Sequence, residues 1–247
     1  MLNKSKASFN AFKIKAFTMA EILIVLGIIG VVAEMTLPSM VAEYQKQVYV
    51  EDAKKVYSSL SDALNRYMQA QGCSTFKCTG AFDTYESATI LNGIAPYLRV
   101  QKNCGRTQGC FYNSTSYFLN KTPWGQNYYN AQALGNGYPS KMQLESGAYV
   151  VVRTIRDCTG NNGSPPMDVL CAYIVVDVNG DKKPNTAGRD IFLMWMTKNS
   201  LVPYGTEAGI DAIRWDRDNT YVACRNTNDP GQGCLARIVQ EGWQMNY

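Results

Sequence analysis

Between Phe17 and Met40 the chain is apolar almost without interruption, and from about Ala53 its apolar positions become periodic. Ala53, Val56, Tyr57, Leu60, Ala63, Leu64 and Tyr67 recur at intervals of three and four, while Lys54, Lys55, Ser58, Ser59, Asp62 and Arg66 fill the other faces. Such spacing marks one stripe of a helix. The pattern predicts a single helix over 17–70. Its first part, 17–40, is apolar nearly all round, and its continuation, 41–70, is amphipathic. At 1.5 Å per residue such a helix is roughly 80 Å long. Gly27, Gly30 and Pro38 are its soft points.

The remainder, 71–247, reads as one globular head. Residues 71–147 look irregular, rich in Gly, Asn, Tyr and Thr. A short helix is expected over Tyr85–Leu98, where Ala88, Leu91, Ile94 and Leu98 keep helical intervals. From 148 the character changes. Tyr149–Ile155, Ala172–Val178 and Ile191–Met196 are β-branched or aromatic runs bounded by Gly, Pro and Asn, and predict three antiparallel strands. Gly205–Tyr247 is a long C-terminal excursion in which Leu235–Trp243 adds a short helix or strand. The fold class that follows is α+β: a long N-terminal helix on a small antiparallel sheet.

One residue does not fit the apolar run. Glu21 lies near its start, behind a leader that carries Lys4, Lys6, Lys13 and Lys15 and no acid. An ionisable group at the centre of a membrane helix costs roughly 2.5–3.5 kcal/mol on insertion scales. Neither an ordinary signal peptide nor a plain anchor gains from an acid there, so a compensating group is expected. The lysine-bearing leader, the small Ala16, then Phe17-Thr18-Met19-Ala20-Glu21 and an apolar helix containing Pro38 together resemble the N-terminus of type IV prepilins and type II secretion pseudopilins. The resemblance implies a leader over 1–16, cleavage between Ala16 and Phe17 by a prepilin peptidase, and N-methylation of Phe17. It further implies storage in the bacterial inner membrane as a single-pass protein with a periplasmic head. An assembly platform then extracts the subunit into a filament of like subunits, which can reach the cell exterior. The family usually carries Gly before the cut; Ala16 departs from this and implies slower cleavage. Cleavage would place a new ammonium four residues before Glu21, on the same helix face. Glu21 could then pair with its own N-terminus or a neighbour's, setting the register of assembly.

Between Glu21 and Glu34 lie twelve residues, Ile22–Ala33. They span roughly 18 Å against a hydrocarbon core of about 30 Å, so a lipid-spanning segment must borrow residues on both sides. A run this short also suits a secretory signal core. Val31-Val32-Ala33 is then a site for ordinary signal peptidase, and cleavage after Ala33 would release a soluble disulfide-rich binding module. N-terminal sequencing separates the two readings.

Composition narrows the chemistry. The formal charge of +4 equals the four leader lysines, so the chain after the leader is neutral and no nucleic-acid partner is inferred. The leader's charge is instead a topology signal. There is no histidine. Triads built on His and the usual zinc enzyme sites are therefore excluded, and no enzyme is expected. Asp216 and Asp218 lie beside Arg214 and Arg217 and read as solvated. Tyr112, Tyr117, Tyr128 and Tyr129 suit carbohydrate or subunit contacts, or plain core cover. Eight cysteines behind an export signal read as disulfides. They allow 105 connectivities. Proximity suggests Cys73–Cys78, Cys104–Cys110, Cys158–Cys171 and Cys224–Cys234. A zinc site is the weaker alternative, since Cys-x2-Cys spacing is absent.

Asp177-Val-Asn179-Gly-Asp181-Lys-Lys-Pro-Asn185-Thr-Ala-Gly-Arg-Asp190 places oxygen donors at alternating positions on a tight loop. That suits a hard cation such as calcium. It is not an EF-hand: the glycine comes two places early, and Gly188 stands where the bidentate Glu would be. The loop resembles the calcium loop of major pseudopilins. That resemblance implies Asp177, Asn179, Asp181 and Asp190 as ligands, with Asn185 the weaker candidate. An Asn-Gly turn with solvated acids, flanked by Lys182 and Lys183, is the competing reading.

Overall fold

The computed structural model describes residues 17–84, 86–107, 110–111, 115–124, 139–155, 158, 170–207, 212–213 and 222–247. Residues 1–16, with Ala16, lie outside them, as do Tyr112, Tyr128, Tyr129, Arg214, Asp216, Arg217 and Asp218. Helix α1 begins at Met19 and runs 52 residues to Ala70. The chain divides into two units, Met1–Tyr44 and Gln45–Tyr247.

In the first unit the apolar side chains of α1 are exposed on every face, from Phe17 and Met19 through Leu26, Ile29 and Val32 to Met40. This helix is long and apolar enough to cross a membrane. Pro38 sits inside it without ending it. A proline removes one hydrogen bond of the ladder, and hydroxyls bond to carbonyls around the gap. Thr36 Oγ1 donates to Val32 O at 2.9 Å, and Ser39 Oγ to Thr36 O at 2.9 Å.

In the second unit the stripe read from the sequence is the buried one. Val50, Ala53, Val56, Leu60, Ala63, Leu64, Tyr67 and Met68 are buried. They share one apolar cluster with residues of a six-stranded antiparallel sheet. Its strands are β1 (Val100–Gly105), β2 (Ser140–Leu144), β3 (Tyr149–Thr154), β4 (Leu170–Asp177), β5 (Ile191–Thr197) and β6 (Leu201–Pro203), paired in chain order. A separate two-stranded sheet joins β7 (Thr206–Glu207) to β8 (Ala212–Ile213). Val150, Val176 and Phe192 lie in register across three strands, as do Val152, Ile174 and Met194, and these sit in the cluster with α1. The alternate residues Val151, Val175 and Leu193 face the other way, into a second cluster with Cys104, Cys110 and Phe111. Both faces of the central strands are therefore buried, which explains their near-continuous apolar runs.

The sheet is larger than the three expected strands. Residues 71–147, expected to be irregular, contribute β1 and β2. Both are polar in sequence (Val-Gln-Lys-Asn-Cys-Gly and Ser-Lys-Met-Gln-Leu), so composition hid them. The helix expected over Tyr85–Leu98 is α2 (Ser87–Ile94), followed by a 3-10 turn, Ala95–Tyr97. Helix α3 (Cys234–Gln240) lies where a short helix or strand was expected.

Candidate functional site

Two polar sites stand out: the start of α1 and the connection between β4 and β5. At the first, Thr18 precedes the first helical residue and its carbonyl accepts the Ile22 N–H at 3.2 Å. Glu21 Oε2 accepts from the Thr18 N–H at 2.8 Å and from Thr18 Oγ1 at 2.9 Å, and the Glu21 N–H donates to Thr18 Oγ1 at 3.2 Å. This is a capping box, in which the cap residue and the third helical residue satisfy each other's polar groups. Phe17, one residue earlier, is exposed. The structure thus gives Glu21 a partner that the sequence reading passed over. The Thr-x-x-Glu spacing was the available signal.

The second site is built on the ends of two neighbouring strands. Asp177 closes β4, Ile191 opens β5, and the two pair in register. Asp177 Oδ1 accepts the N–H groups of Asn179 (3.1 Å) and Gly180 (3.0 Å). Gly180 has φ +66°, and a Cβ there would lie 2.5 Å from the Gly147 carbonyl oxygen, so only glycine fits this turn. Asp190 clasps the other side of the loop, Oδ2 accepting from Asn185 N at 2.8 Å and Oδ1 from Thr186 N at 2.6 Å.

Both carboxylates are fully buried. Burial, then the negative charge of Asp190, pushes Asp177 up to about 9, although two backbone N–H groups oppose the shift. Burial raises Asp190 to about 6 against its own backbone donors. Asp177 Oδ2 and Asn179 Oδ1 are buried and receive no hydrogen bond from the described residues. Orphaned oxygens around a buried carboxylate pair suit a cation, either a proton or a hard metal ion.

The four expected ligands are placed unequally. Asp177, Asn179 and Asp190 meet at the base of the loop. Asp181 is exposed, with its carboxylate beside the Tyr149 hydroxyl, which burial and that neighbour push up to about 12. Lys182 and Lys183 are exposed, while Asn185 is buried. Among the described residues no three His, Cys, Asp or Glu side chains gather as a metal-binding group, so any metal here would lean on amide and carbonyl oxygens beside Asp177 and Asp190. From α1, Tyr49 donates a long hydrogen bond, 3.5 Å, to Lys183 O. Burial raises its pKa first, and the Asp190 charge second.

All eight cysteines are joined: Cys73–Cys78, Cys104–Cys110, Cys158–Cys171 and Cys224–Cys234. No free thiol is left to bind zinc. Comparison with protein-family models, with curated proteins and with solved structures finds no match to this chain.

Proposed function

We propose that this chain is a structural subunit of a type IV pilus-like filament, a type II secretion pseudopilin or a minor pilin. One observation carries the reading. A helix apolar on every exposed face bears a single acid in its first turn, and that acid is held in a capping box by Thr18. In lipid, the box gives Glu21 two donors where water gives none, lowering the cost of carrying a carboxylate into the membrane. Cleavage at Ala16–Phe17 by a prepilin peptidase would add an ammonium one residue before Thr18. Glu21, already turned toward the helix start by Thr18, is then oriented to meet that charge or the one on a neighbouring subunit.

The apolar face of α1 supplies burial among other subunits, and the assembly platform in the inner membrane supplies the energy for extraction. The disulfide-stapled unit, Gln45–Tyr247, stands on the periplasmic side and makes the subunit's outer contacts. The chain does no chemistry of its own. Cleavage after Ala33 fits less well. Against it stand the long leader and the acid at Glu21, neither of which belongs to the pattern of an ordinary signal peptide. The β4–β5 loop is the place for calcium, held by Asp177, Asn179 and Asp190.

Mass spectrometry of the protein purified from a membrane carrying prepilin peptidase tests this. The expected N-terminus is methylated Phe17. An N-terminus at Glu34 would replace the filament reading with a secreted module.

A further inference from the structure

We infer that Tyr49 is the positioning residue through which a divalent cation in the β4–β5 loop acts on helix α1. The inference rests on the calcium reading of that loop. Two donors converge on one acceptor: Asn179 Nδ2 reaches Lys183 O at 3.2 Å, and the Tyr49 hydroxyl reaches the same oxygen at 3.5 Å. The Asn179 Oδ1 on the other side of that amide is buried and receives no donor among the described residues. A cation ligated by Asn179 Oδ1 and Asp177 Oδ2 would fix the amide plane. That holds Nδ2 on Lys183 O and settles the carbonyl under the Tyr49 hydroxyl. Without the cation no described residue binds Oδ1, and the amide that meets the acceptor of Tyr49 is held through Nδ2 at 3.2 Å.

The position on α1 matters. Tyr49 is half-buried against the core cluster, and Val50 next to it is the first residue of α1 with a buried side chain. Ordering Tyr49 therefore orders the first turn of α1 that the second unit holds. A subunit whose helix is anchored only when the loop is filled would carry its readiness to assemble in the divalent-cation level of its compartment.

The test uses the full chain in detergent, stripped with EDTA, with calcium chloride as the probe. Titration calorimetry reads binding, and hydrogen exchange reads the amides of residues 45–53. Calcium is expected to bind and to slow exchange in that stretch. Tyr49→Phe, which keeps the ring and its packing, should still bind calcium about threefold to tenfold more weakly, as loss of one hydrogen bond implies. Its exchange in 45–53 should stay at the calcium-free rate. Tyr57→Phe is the control, because the Tyr57 hydroxyl donates to Leu201 O and not to the loop. It should keep the calcium response. Binding with unchanged exchange in 45–53, or a Tyr49→Phe protein that responds like the parent, overturns the coupling and leaves the loop site standing. No calcium binding by the parent chain overturns the loop reading itself.

Discussion

Replacing Lys141 with methionine should make this protein more stable. Lys141 lies on β2 opposite Val151, which pairs with Val175, which in turn pairs with Leu193. Directly opposed residues share a face, so the lysine stands on the apolar side that holds those three with Phe111 and the Cys104–Cys110 bridge. The side chain is fully buried, and its Nζ has no hydrogen-bond partner among the described residues. Burial pulls its pKa down to about 8, which still leaves most of the amine protonated at pH 7. A buried polar group without a partner costs roughly 1–3 kcal/mol. Methionine keeps the length and flexibility of the stem and removes the charge.

For a unit of this size each kcal/mol moves the thermal midpoint by about 2–4 °C, so a gain of about 2 kcal/mol reads as about 4–8 °C. The assay is circular dichroism melting of the oxidised full chain in detergent at pH 7. A second readout fixes the cause. The folded pKa lies below the unfolded value of 10.5, so between about pH 8 and 10.5 the unfolded chain keeps a proton that the folded chain has released. Lys141 therefore contributes a rise in the parent's stability across that window, set against the fall that Asp177 contributes up to about pH 9. The methionine variant lacks the rise, so the gap between the two should close by pH 10.5. Lys141→Met melting at or below the parent at pH 7, with no closing of the gap, would refute the reasoning.

Other outcomes follow from the same structure. Asp177 and Asp190 have folded pKa values raised to about 9 and about 6 from 3.8, so in calcium-free buffer stability falls as pH rises from about 4 to 9. Melts at pH 5 to 8, below the Lys141 window, should show the fall, and Asp177→Asn should flatten most of it; a parent that gains stability over that range would contradict it. Thr18→Val removes the hydroxyl of the capping box, a loss of about 0.5–2 kcal/mol at the helix start, and should lower filament yield in electron micrographs, with Thr18→Ser restoring it. Glu21→Ala should prevent filaments outright, and normal fibres from it would remove the assembly argument. Leu60→Ala opens a cavity at a fully buried position of α1 and should cost about 2–5 kcal/mol in denaturant melts; a change under about 1 kcal/mol would mean the stripe does not pack as described.

How far the chain could be read without its structure depended on how each residue type signals. Where burial and local pattern coincide, legibility was high. The stripe Ala53–Tyr67 and the runs of β3, β4 and β5 are apolar because they are buried, and their periods gave their type. The cysteine pairs are local, with separations of 5, 6, 13 and 10 residues, so proximity was a sound guide. Strands β1 and β2 were illegible for the converse reason. Their backbones join the sheet, but β1 is exposed at Gln101, Lys102 and Asn103, and β2 buries Ser140 and Lys141. Pairing with a neighbour, a tertiary fact, overrides their local preference.

The loop at 177–190 falls between these cases, and it shows what a motif leaves out. Alternating oxygens suit a cation site, yet spacing weighs Asp177, Asp181 and Asp190 equally. Packing separates them, burying Asp177 and Asp190 at the strand ends while Asp181 stays in solvent. Spacing also omits Tyr49, more than a hundred residues away, whose hydroxyl meets the loop at Lys183 O. A carboxylate pair buried without a matching cation destabilises the fold at neutral pH. Such a cost is tolerable where the occupied state is the working one. The same reasoning applies at Glu21, an acid set in an apolar helix with Thr18 as its interim partner. In both places the isolated chain leaves a negative charge incompletely matched, and under the proposed function the matching charge would come from outside: a metal ion for the loop, an amine freed by cleavage for the helix.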